Sequence, residues 1–83
     1  MAHKDKLSIR VGRDMITEVL RPHLGPDTAL ERANNIAQAL VLGAGSPTDV
    51  ALDMLRHTHV DNKLKIAVEV GRAWASGTVA KAS

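Results

Sequence analysis

What this chain lacks for building a core constrains it most: among 83 residues there is no Phe, no Tyr and a single Trp. Hydrophobic residues still make up 45% of the sequence, so any interior has to be assembled from Leu, Ile, Val, Met and Ala. Alanine lets helices approach closely but removes little apolar area from water. A chain of this length buries only roughly 60% of the surface it exposes when unfolded, and small scaffolds generally add a disulfide, a metal or a second subunit. Cysteine is absent, which excludes disulfides and thiolate chemistry. The expectation is that a lone copy cannot bury its apolar stripes and that contact with another macromolecule completes the fold.

Punctuation residues divide the sequence into segments. Gly25-Pro26-Asp27 joins a break, a proline suited to a first helical turn and an acid that complements the helix dipole. Leu30, Ala33, Ile36, Ala37, Leu40 and Val41 then recur at helical spacing, with Glu31, Asn34, Asn35 and Gln38 off that stripe, and Gly43 is placed to end the helix. Ser46-Pro47-Thr48-Asp49 predicts a further helix, capped by Ser46 and running to about His57, with Val50, Met54 and Leu55 inward.

The flanking segments support two readings. Leu7, Ile9 and Val11 alternate with Lys6, Ser8 and Arg10, and Leu64, Ile66, Val68 and Val70 alternate with Lys63, Lys65, Ala67 and Glu69, which is strand periodicity. A helix capped by Asp61, with Leu64, Ala67, Val68, Gly71, Trp74 and Ala75 on one face and ending at Gly77, is preferred for the second. For the first, Gly12 points to a short strand to Val11, then a helix with Met15, Ile16, Val19 and Leu20 inward that Pro22 stops near Arg21. The expected fold is mainly α: a single domain over 1–83, a small bundle of about four short helices with a possible N-terminal β-strand, and flexible ends at 1–5 and 78–83.

Charge is unevenly spread. Residues 1–23 carry five Lys/Arg against three acids, residues 24–62 two against five, and residues 63–83 four against one. Basic ends and an acidic middle suit head-to-tail association or a nucleic-acid contact at the ends. The longest apolar run, Ala39 to Ala44, is far short of the ~20 residues that span a bilayer, and Met1 to Lys6 lacks the apolar stretch of a signal peptide. The expected setting is cytoplasmic, with no membrane partner.

Several short motifs bear on chemistry. His57-Thr58-His59-Val60-Asp61 resembles part of the metal-binding signature of the metallo-β-lactamase fold, but Asn62 stands where that signature continues with histidine, and a zinc site needs three or four ligands. Val41-Leu42-Gly43-Ala44-Gly45-Ser46 has the look of a phosphate-binding turn, but Thr48 occupies the place of the third glycine. The second and third helices invite a helix-turn-helix reading, in which Asp49 and Asp53 would face phosphates. Lys6-Leu7-Ser8-Ile9-Arg10-Val11, followed by a helix, the Gly25 break and a second helix, resembles the ribbon-helix-helix family of DNA-binding dimers over residues 6–42. That resemblance implies that Lys6, Ser8 and Arg10 enter the major groove while Leu7, Ile9 and Val11 form the dimer core.

No nucleophile with a base and an orienting group, no carboxylate pair and no full metal set is evident. The expected function is a non-enzymatic helical interaction module that needs no cofactor. It self-associates, as a dimer in the simplest case, or docks on a larger protein, with Leu7, Ile9, Val11, Val70 and Trp74 as interface candidates. The alternative is a ribbon-helix-helix-like transcriptional regulator reading DNA through Lys6, Ser8 and Arg10.

Overall fold

The structure, a computed structural model, describes the backbone of residues 2–82 and the side chains of residues 8–78. It is a bundle of four helices: α1 (Ala2–Leu24), α2 (Pro26–Val41), α3 (Pro47–Leu55) and α4 (Lys63–Ala82). The N-terminal strand expected over residues 6–11 is corrected to helix, and the reason lies in the buried row. Ser8, Gly12, Ile16 and Leu20 recur every four residues and are all buried, a helical stripe whose first two members are polar or lack a side chain. The visible alternation of Leu7, Ile9 and Val11 therefore misleads.

Pro22 also fails to end α1 where expected. It lies in the last turn on the exposed side, one turn after exposed Glu18, so the carbonyl deprived of its N–H partner can be hydrated. The helix continues to Leu24, and the Gly25 amide donates to the Arg21 carbonyl at 3.0 Å. Gly25 then adopts φ 83°, ψ 161° as N-cap of α2, with Pro26 following in the first turn.

The interior boundaries follow local chemistry. At the end of α2, Ala44 donates to the Ala39 carbonyl (3.0 Å) and Gly43, at φ 81°, to that of Leu40 (3.1 Å), the paired bonds of a Schellman cap. Ser46 Oγ accepts from the Asp49 amide at 3.2 Å, capping α3. That helix ends at Leu55, whose carbonyl accepts from Thr58 Oγ1 at 2.7 Å. α4 begins at Lys63, with the Asn62 carbonyl, rather than Asp61, opening the helix by accepting from Ile66 N at 3.0 Å. It does not stop at Gly77, because that glycine is a packing contact and not a terminus. A Cβ at Gly77 would lie 2.8 Å from Gly12 Cα, and one at Gly12 would lie 2.7 Å from Trp74 Cε3. The two helices meet backbone to backbone.

Among the described residues α1 packs on α2 and α4, and α3 packs on α4 and more thinly on α2, so the helices close into a ring. Among the described residues thirteen hydrophobic residues are buried, six of them alanines, around fully buried Ile16, Leu20, Ile36, Leu55 and Val70. Of the expected stripes, Ile16, Leu20, Ile36, Leu55 and Val70 are buried within one copy, while Met15, Leu30, Val41, Leu64 and Val68 stay exposed. Close helix approach at Ala29, Ala33, Ala51, Ala67 and Ala73 replaces bulk with proximity. The radius of gyration is 11.8 Å, matching the ~12 Å expected of a compact chain of this size.

Connectivity fixes the ends of the bundle. Thr48 at the start of α3 lies against Gly71 of α4, and Lys63 Nζ at the start of α4 donates to the Arg56 carbonyl just past α3. The helices therefore alternate in direction. One end of the bundle holds the close of α2, the start of α3 and the second half of α4, while the other holds the start of α4.

Candidate interaction surface

An open groove of about 600 Å³ lies between α1 and α2, lined by Ile9, Arg10, Arg13, Asn34, Ala37, Gln38, Val41 and Leu42. Buried Ala37 forms its floor, since a methyl group there leaves room that a larger residue would fill. Ile9 closes it on the α1 side, and Val41 and Leu42 stand at its end, 54% and 85% exposed.

The rim is polar and cationic. Arg13 Nε and Nη2 donate to Asp14 Oδ1 at 3.1 and 2.8 Å, and Nη1 donates across the helix pair to Asn34 Oδ1 at 3.2 Å. One guanidinium thus ties α1 to α2 while its own charge is partly balanced. Arg10, one turn earlier, is exposed and has no ion-pair partner among the described residues. The groove therefore offers an apolar floor and end, amides from Asn34 and Gln38, and a cation at its edge. That combination suits an apolar segment carrying a carboxylate.

The sequence-predicted residues separate. Ile9 and Arg10 meet in the groove. Val11 is half-buried, Val70 is wholly buried within the chain's own core, and Trp74 is half-buried against Gly12 in the α1–α4 seam. Val70 and Trp74 are thus occupied in holding the bundle together. The side chains of Lys6 and Leu7 lie outside the described residues. Ser8 points inward at 9% exposure, whereas a DNA-reading ribbon would turn it outward on the same side as Arg10. In a helix these two residues face different ways, and among the described residues the ribbon-helix-helix arrangement has no strand to rest on.

Other motifs resolve into connections. His57, His59 and Asp61 are exposed around the α3–α4 turn, and among the described residues no group of three or more His, Cys, Asp or Glu is placed to hold a metal ion. Gly43 and Gly45 belong to the α2 cap and the turn into α3. On α3, Asp53 pairs with Arg56 at 3.5 Å, and exposed Asp49 opposes entry into a phosphate-lined groove. No described helix is long and apolar enough to cross a membrane.

Sequence reasoning missed Arg13, Asn34, Ala37, Gln38, Val41 and Leu42 as one surface. The spacing puts Val41 on the apolar stripe of α2, whereas the buried positions of that helix are Ala29, Ala33, Ile36 and Ala37. The available signal was Val41-Leu42 preceding the Gly43 cap, two large apolar residues at a helix end with no turn left to cover them. In comparison with known proteins, the chain matches no family model, no curated protein and no solved structure.

Proposed function

We propose that this chain is a non-enzymatic interaction module whose α1–α2 groove receives an apolar, carboxylate-bearing segment of a protein. One observation carries the reading: Val41 and Leu42 remain exposed at the mouth of a groove with a buried alanine floor, in a fold whose core is otherwise closed. Large apolar side chains grouped beside a concavity mark contact sites more often than scattered ones do. Exposed Arg10 supplies the charge that would orient the incoming segment.

A photo-reactive residue replacing Gln38, in the groove, tests this against one replacing Thr28, exposed near the opposite end of α2. The expected result is a covalent protein adduct through position 38 that is weak or absent through 28 and disappears on Leu42→Asp. Equal adducts at both positions, or none, would overturn the reading. The module should also pass unretained over mixed-sequence DNA at moderate salt. Retention that falls on Arg10→Ala would assign the groove to nucleic acid instead.

A further inference from the structure

Resting on that docking reading, we infer that the occupant of the groove is a second copy of this chain, seated through the start of α4, so that copies associate head to tail. Leu64 and Val68, 63% and 38% exposed, stand one turn apart on α4 as large apolar side chains left in water on one helix face. A pair at that spacing is the pattern with which a helix enters a groove. Exposed Asp61 and Glu69 flank it, and neither is in an ion pair among the described residues. The charged residues lining the groove are Arg10 and Arg13, with no carboxylate between them. Lys65 and Arg72 share the α4 face with Glu69, and exposed Glu31 on α2 has no ion-pair partner among the described residues.

Position decides the symmetry. Ile9, Val41 and Leu42 lie where α2 closes, and Leu64 lies at the opposite end, where α4 opens beside Arg56. The two surfaces also lie on opposite sides. The groove belongs to the α1–α2 pair, while Leu64 and Val68 follow the helical row of Gly71, which faces Thr48 of α3. One copy cannot fill its own groove, and a two-fold pair cannot fill both grooves at once. The contact is heterologous: each copy keeps a groove and an α4 face open, and growth continues until a ring closes.

Light scattering from about 10 µM to about 1 mM at low salt tests this. The expected mean mass climbs beyond that of a dimer. Leu42→Asp and Leu64→Asp should each weaken association at least about tenfold when alone. An equimolar mixture of the two should form a one-to-one pair and stop, since one variant keeps a working groove and the other a working α4 face. Circular dichroism confirms that each variant retains its helices. Leu42→Ser or Leu64→Ser replaces any that does not. A wild-type monomer throughout, a mass that levels off at two, or a mixture that stays monomeric would overturn the inference. Crosslinking through position 38 separates this from failure of the docking reading: an adduct only with a different protein keeps the groove and discards the second copy.

Discussion

Gly77 and Gly25 are needed for opposite physical reasons, and substitution tells them apart. At Gly77 the obstacle is another backbone: an added Cβ falls 2.8 Å from Gly12 Cα and 2.9 Å from Gly12 N, atoms that cannot rotate away. Alanine would gain about 1 kcal/mol in helix propensity, but forcing the seam apart costs about 1–3 kcal/mol and loosens Trp74 as well. Gly77→Ala is therefore expected to lower the melting temperature by several degrees. A rise would mean that α1 and α4 do not meet at these two glycines. At Gly25 nothing lies within 4 Å of an added Cβ, yet φ is 83° and ψ 161°, a region that L-residues occupy at a cost of about 1–3 kcal/mol. Gly25→Ala should destabilise comparably by thermal melting, whereas D-alanine introduced there by chemical synthesis should be tolerated, because its mirror-image preferences match that backbone. If both enantiomers destabilise equally, the cause is not the torsion angle.

At the scale of elements, α3 depends most on its cap. It has nine residues, too few for an isolated helix to persist in water, and its first turn is held by the bond from Asp49 N to Ser46 Oγ. Ser46→Ala should cost about 1 kcal/mol and Ser46→Asp much less, read as shifts in urea midpoint at constant slope. Equal losses would show that the hydroxyl does not cap the helix. The same local chemistry explains what could be read from sequence. Gly25-Pro26 and Ser46-Pro47 act within a few residues, so the starts of α2 and α3 were legible, as was the end of α2 at Gly43. The first half of α1 was not, because its buried row includes Ser8 and Gly12, which no hydrophobic pattern registers. Gly77 likewise reads as a terminus until α1 is placed beside it. The groove was legible only through Ile9 and Arg10. Its floor at Ala37 and its end at Val41 and Leu42 exist because α2 turns its alanines inward, and this rotation of the stripe is set by how closely α1 approaches.

Across the whole molecule, the buried core and the surfaces proposed for association are made of different residues. The bundle measures 38 × 23 × 17 Å, and its ring of contacts is thinnest between α2 and α3. Amides of α3 should therefore exchange with solvent sooner than those around Ile16, Leu20 and Val70, as hydrogen exchange can establish. Uniform protection across all helices would show that the ring opens as one unit. The residues that close the core, among them Ile36, Leu55 and Val70, are distinct from the exposed Val41, Leu42, Leu64 and Val68, which stand in water with Met15 and Leu30. A core complete in one copy gives a melting temperature that is the same at about 1 µM and at any higher concentration below the onset of association. Leu42→Asp and Leu64→Asp, which alter only exposed positions, should leave stability within about 0.5 kcal/mol of the parent. A melting temperature that climbs with concentration, or helices lost on dilution, would mean that neighbouring copies supply part of the core. The groove and the α4 face would then be portions of an unfinished interior and not surfaces a folded monomer presents.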